Sequence, residues 1–184
     1  MKNFQKSKSN FFFPLLAAAG VGTFFLLTSC KASPYQSMVV KNFNGDKYLG
    51  QWYEIARFDF KHEKDLKNVT ANYSKREDGK IRVLNKGYNY VKNEWQESEG
   101  KAKWVKSPSE GALKVSFFGP FYSEYNVVMM NPNYENVLIF GESTKYMWIL
   151  SRNKTIPEEV KREFLDFAKG KGFPIENLVW TKHD

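Results

Sequence analysis

The sequence predicts an all-β fold: an eight-stranded antiparallel up-and-down β-barrel, followed by one C-terminal α-helix and a short terminal strand. Apolar and polar side chains alternate along segment after segment from Trp52 to Ser151, turn-forming residues separate those segments, and after residue 154 the period changes to a helical one. A chain of 184 residues has room for one core, and a 17% aromatic content favours sheet.

The strands are expected at 52–60, 69–76, 80–90, 95–105, 112–118, 124–130, 136–141 and 146–152. Ile81, Val83 and Asn85 share one face and Arg82, Leu84 and Lys86 the other; Leu113, Val115 and Phe117 alternate with Lys114 and Ser116. Tyr125, Val127 and Met129 alternate with Asn126 and Val128, and Trp148 and Leu150 with Met147, Ile149 and Ser151. The stretches Glu77–Lys80 and Tyr90–Glu94 have hairpin chemistry, and Pro108–Gly111, Asn131–Asn133 and Glu142–Lys145 fit turns. Short consecutive strands joined by turns make a meander, and eight strands can close.

The helix is expected to start at Thr155 as N-cap, with Pro157 in the first turn and Glu158 completing a capping box. Val160, Phe164, Phe167 and Ala168 form its apolar stripe, and Gly170 is a plausible residue just past its end. Leu178, Val179 and Trp180 make the terminal strand.

The N-terminus has a different character. Lys2, Lys6 and Lys8 precede an uncharged, mostly apolar stretch from Phe11 to Leu27, the pattern of a secretory signal. Leu27, Thr28, Ser29 and Cys30 then resemble a bacterial lipobox, in which the cysteine is lipidated and becomes the new N-terminus. Cys30 is the only cysteine, so no intrachain disulfide can form in an exported chain. The expected organisation is a signal peptide at 1–29, a lipidated N-terminus and tether at 30–44, and a barrel domain at 45–184. Lys31 stands where an aspartate would resemble an inner-membrane retention signal, which implies the outer membrane, facing the periplasm.

The formal charge of +8 includes the three lysines of the signal segment; without them the excess is +5. That suits a domain near anionic headgroups, and equally an ordinary solvated surface. The basic residues are spread through every segment, which argues against nucleic acid. The two histidines, His62 in a charged loop and His183 at a frayed C-terminus, lack the neighbours a general base needs. No metal spacing or phosphate loop occurs, so no enzyme, metal or cofactor is expected.

Gly50, Gln51 and Trp52 form a G-x-W motif, Ser151-Arg152-Asn153 follows the last barrel strand, and Tyr125-Asn126-Val127 falls between them. With the strand order and terminal helix, these resemble the first, third and, more weakly, second motifs of the lipocalin family. The run from Tyr48 to Arg57 is similar to the branch that holds apolipoprotein D and the bacterial outer-membrane lipocalins. The resemblance implies that Arg152 packs over Trp52 to close one barrel end, a cation–π contact worth about 0.5–2 kcal/mol. It also implies a cavity for a fatty acid or a lysophospholipid.

Alternation and the resemblance together nominate Tyr73, Val83, Asn85, Val115, Phe117, Tyr125, Val127, Trp148 and Leu150 as inward residues. Tyr73, Asn85 and Trp148 match pocket positions of apolipoprotein D; each of the nine could also simply fill a solid core. A headgroup would meet the charged loop holding Lys61, His62, Glu63, Lys64, Asp65 and Lys67. The inward faces carry no histidine for haem and no set of cations for a siderophore. A binder of another apolar compound, or a structural envelope lipoprotein, remains open, as does a homodimer.

Overall fold

The computed structural model describes residues 32–60 and 63–184; the signal segment, Cys30, Lys31, Lys61 and His62 lie outside them. A short helix α1 (Gly45–Tyr48) leads into β1 (Gly50–Phe58), β2 (Leu66–Lys75), β3 (Ile81–Asn89), β4 (Glu94–Trp104), β5 (Ala112–Ser116), β6 (Ser123–Met130), β7 (Asn136–Phe140) and β8 (Met147–Ser151). Helix α2 (Glu158–Gly170) and strand β9 (Leu178–Trp180) complete the domain. Every pairing is antiparallel, each of β1 to β7 pairs with the next, and β8 returns to β1. The barrel is closed, as the alternation predicts.

The β1–β2 seam is short, running from Gly50↔Tyr73 to Tyr53↔Thr70. Beyond a bulge between Glu54 and Ala56, the freed edge of β1 pairs with β9, from Ala56↔Trp180 to Phe58↔Leu178. The tail then crosses to β2, where Asn68 N–H donates to the Lys182 carbonyl at 2.8 Å. The expectation of a frayed C-terminus is therefore corrected. His183 Nε2 lies 2.7 Å from the Glu54 carbonyl with its ring edge-on to Tyr53, and Asp184 accepts from Lys67 Nζ at 2.7 Å. Backbone groups exposed where two barrel strands diverge need partners, and the tail supplies them.

Two apolar clusters form. One fills the lower barrel around Trp52, Tyr48, Leu113, Val137 and Ile139. The other lies between the outer barrel wall and α2, where Phe164 and Ala168 meet Leu138, Phe140 and Ile149. Strand β7 is thus covered on both faces, which explains its unbroken apolar run. The ends of α2 differ from expectation. Pro157, not Thr155, is the N-cap, and no side chain caps the helix; the Thr155 carbonyl instead accepts from Ser151 Oγ at 3.1 Å. At the other end Gly172, with φ +83°, takes the left-handed position expected of Gly170. Its N–H donates to Lys169 O and that of Phe173 to Ala168 O, closing a Schellman motif.

Residues 33–44 are not a free tether. Tyr35, Val39 and Phe43 are buried, Val40 N–H donates to Val127 O at 2.9 Å, and Gly111 N–H donates to Val40 O. The segment lies along β6, and Tyr35 packs on Phe140 and Phe173.

Candidate functional site

One barrel end is sealed. Gly50 has φ +94°, a conformation that side chains disfavour, and it turns the chain from α1 into β1. Trp52, with no exposed surface, donates from Nε1 to the Tyr48 carbonyl at 2.8 Å. The Arg152 guanidinium lies 3.8 Å from the Trp52 ring centroid. It also donates to the carbonyls of Lys47, Tyr48, Leu49 and Gln51 at 2.7–3.2 Å and to Tyr134 O at 3.3 Å. One planar cation thereby covers the tryptophan and collects the carbonyls left at the end of α1, which a lysine could not do together.

Above this plug three tyrosines form a floor. The Tyr125 hydroxyl is hydrogen-bonded to that of Tyr48 and, at 2.9 Å, to that of Tyr73. Burial raises all three hydroxyl pKa values, that of Tyr73 to about 12, so the floor is neutral.

Over the floor opens a cavity of about 740 Å³, within the range of small-molecule sites. Its walls include Tyr73, Val83, Asn85, Val115, Phe117, Tyr125, Trp148 and Leu150. Val127 is the exception among the nominated residues. It points inward but is fully buried below the floor, against Gly111 and in the cluster of Phe43 and Trp52. A bulge between Val127 and Met129 ends the simple alternation there. Asn85 Oδ1 is buried and has no hydrogen-bond partner among the described residues. An orphaned amide oxygen on a cavity wall is a polar contact awaiting a ligand or a water.

The upper wall holds a charged group that the sequence reading missed. Arg57 is 1% exposed and donates to Glu54 Oε1 at 2.7 Å and to the Glu63 carbonyl at 2.5 Å. Thr181 Oγ1, from the tail, donates to the same Glu54 oxygen at 2.6 Å. Glu63, expected in a solvated loop, instead turns inward. Trp148 Nε1 donates to its Oε2 at 3.1 Å, and Arg57 Nε stands 3.8 Å from that oxygen. Burial and then the neighbouring Glu54 carboxylate push the Glu63 pKa up to about 8, against the opposing pull of Trp148 and Arg57. Near neutrality Glu63 is therefore mainly protonated, and the Arg57–Glu54 pair is balanced. The signal for Glu54 was available, since it is two residues from Trp52 and shares its face; Arg57 joins that face only because of the bulge.

Lys61 and His62 lie outside the described residues, and the described remainder of the charged loop finds partners away from the cavity, Asp65 accepting from the Tyr90 hydroxyl at 3.3 Å. Lys67 pairs with Asp184 and lies over Tyr88. The mouth is instead rimmed by Phe60, Phe118, Phe121 and Tyr146, with Glu124 and Glu142 between them.

A family model described as "Lipocalin-like domain" matches residues 43–183. The chain is 47% identical over 169 residues to "Outer membrane lipoprotein Blc" of Escherichia coli (strain K12), covering 92% of this chain and 96% of that protein. It is 32% identical over 168 residues to mouse "Apolipoprotein D", covering 87% of this chain and 85% of that one. Among solved structures, insecticyanin from the tobacco hornworm Manduca sexta superposes with a TM-score of 0.64 at 18% identity, over 79% of this chain and 84% of that one. That last likeness is one of fold.

Proposed function

The chain belongs to the lipocalin family, and from that premise we propose that it is a bacterial outer-membrane lipoprotein. It is anchored through lipidated Cys30, faces the periplasm, and holds a fatty acid or a lysophospholipid in its barrel for storage, transfer or envelope maintenance. The observation that carries this reading is the cavity itself: deep, closed below by neutral tyrosines, walled by apolar and aromatic side chains, and open at one end. The similarity to outer-membrane lipoproteins supports the location.

The residues bind and orient; none performs chemistry. Val83, Val115, Phe117 and Leu150 take the acyl chain, and ten buried methylenes contribute roughly 8 kcal/mol before the costs of association. With Glu63 protonated and Arg57 matched by Glu54, this stretch of the wall adds no net charge beside that chain. Among the described residues the cations nearest the cavity are already paired, Arg57 with Glu54 and Lys86 with Glu97, so a carboxylate or phosphate stays at the mouth. The orphaned Asn85 oxygen can accept from a ligand hydroxyl, such as that of a lysolipid glycerol.

Titration with a fluorescent fatty acid, followed by displacement with lysophospholipid, tests this. Saturable one-to-one binding is expected, and Val115→Trp, which fills the cavity from its wall, is expected to weaken it at least about tenfold, or roughly 1.4 kcal/mol. Equal affinity in that variant would place the ligand elsewhere.

A further inference from the structure

We propose that the cavity mouth docks on the membrane that carries the anchor, with the turn from Phe118 to Phe121 entering the headgroup layer, so that ligand passes between bilayer and barrel without crossing water. The proposal rests on the anchored reading above and adds an orientation and a contact surface.

The first ground is where the chain leaves the domain. Ser33 is fastened to Glu124 at the start of β6, its N–H donating to Oε1 at 3.0 Å and its hydroxyl to the other carboxylate oxygen. Glu124 lines the cavity rim. The segment behind Ser33 is held along β6 by buried Tyr35 and by the Val40–Val127 bond, so it cannot peel away without losing that packing. Cys30 precedes Ser33 by three residues, which span at most about 10 Å. The sealed end lies beyond the far end of the eight-residue β6, roughly 20 Å away along a tilted barrel strand. A lipid on Cys30 is therefore chained to the mouth and out of reach of the plug.

The second ground is the distribution of exposed apolar side chains. Phe121 is 77% exposed and Phe118 68%, on one turn closed by a 3.1 Å bond from Phe121 N–H to Phe118 O. Tyr90, Val91 and Trp95 are also exposed, at the β3–β4 turn of the same barrel end. The sealed-end turns Arg76–Lys80 and Asn131–Glu135 carry no comparably exposed large apolar side chain among the described residues. Exposed aromatics gathered at one end mark a contact surface, and aromatic rings favour the bilayer interface.

The third ground is charge. Lys101, Lys103 and Lys114 stand on the outer face of β4 and β5, opposite in direction to the inward Ala102, with Lys103 directly across from Lys114. Lys101 Nζ lies beside Gly119, and Lys103 Nζ is 4.7 Å from the Tyr122 ring. An aromatic tip with a lysine collar complements a surface of anionic headgroups.

The test uses the full lipidated chain in vesicles of phosphatidylethanolamine and phosphatidylglycerol, with a spin label on Phe121→Cys or, at the sealed end, on Glu77→Cys. Cys30 is consumed by its lipid, so only the introduced thiol takes the label. Electron paramagnetic resonance is expected to place the label at 121 about 5–10 Å into the headgroup boundary and to leave that at 77 in water. A label at 121 as water-accessible as that at 77 would overturn the proposal, as would one buried by spin-coupled contact with a second copy. Mass spectrometry of the mature N-terminal peptide tests the anchor separately. If that peptide does not begin at an acylated Cys30 the anchored reading fails and the orientation with it, whereas an acylated Cys30 with a watery label at 121 removes the orientation alone.

Discussion

Replacing Arg152 by alanine removes a side chain that stacks 3.8 Å from the Trp52 ring centroid and donates to five backbone carbonyls. The stacking contributes about 0.5–2 kcal/mol. The carbonyls of Lys47 and Gln51 are reached at the exposed side and can turn to water, so their bonds count for little. Those of Tyr48 and Leu49 are more enclosed, and charge-assisted bonds of that kind contribute roughly 1.5–3 kcal/mol each at most. With the newly wetted Trp52 face included, Arg152→Ala should cost about 3–5 kcal/mol, which for a domain of this size lowers the melting temperature by roughly 10 °C. Arg152→Lys keeps the charge but cannot lie flat on the indole and serve several carbonyls at once, so it should recover less than half of the loss. Equilibrium urea unfolding followed by tryptophan fluorescence, with fatty-acid titration of the folded variants, measures both effects. A cost below about 1 kcal/mol, or a lysine variant as stable as wild type, would refute the view of Arg152 as the clamp of the sealed end. A selective loss of ligand affinity in a stable variant would move Arg152 from the plug to the binding site.

Trp52→Ala, which empties a fully buried position below the tyrosine floor, should cost about 3–5 kcal/mol in the same unfolding assay. Gly50→Ala forces a side chain into a left-handed backbone at φ +94° beside Arg152 and should cost about 1–2 kcal/mol. Glu63 has a folded pKa of about 8, above its unfolded value of 4.5, so the folded state holds its proton more tightly. Its contribution to stability is whole below pH 4.5 and declines as pH rises to about 8, at up to roughly 1.4 kcal/mol per pH unit. Glu63→Gln, measured by urea unfolding across that range, should flatten the decline; an unchanged profile would assign it to another group. Ionisation of Glu63 also adds a negative charge to the cavity wall, so binding of a fatty-acid anion should weaken above pH 8 in wild type and hold in Glu63→Gln, read by fluorescent titration.

The barrel was legible because alternation is a local consequence of burying one face of a strand, and β3 obeys it almost throughout. The plug was legible because Gly50, Trp52 and Arg152 are paired by a motif despite lying 100 residues apart. What escaped depends on features that alternation does not encode. The bulge between Glu54 and Ala56 brings Arg57 to the inner face, and Val127, two residues beyond inward Tyr125, falls beneath the floor because the tyrosines end the cavity above it. Glu63 looks like one more loop charge until Trp148 and Arg57, brought in from other strands, turn it inward. The helix ends were misjudged because both Thr155 and Gly170 are suitable residue types, and only the path of the chain into the barrel decides that Pro157 and Gly172 take those positions. The tail acquired its order from the open β1 edge, a partner far from it in sequence.

Native mass spectrometry of the protein gently extracted from bacterial membranes tests the central claim most directly. A barrel that holds an acyl lipid should appear with a single added mass matching a fatty acid or lysophospholipid, and Val115→Trp should lose it while the lipid on Cys30 remains. A wild-type barrel released empty, which then takes up neither a fatty acid nor a lysophospholipid when each is supplied, would contradict it.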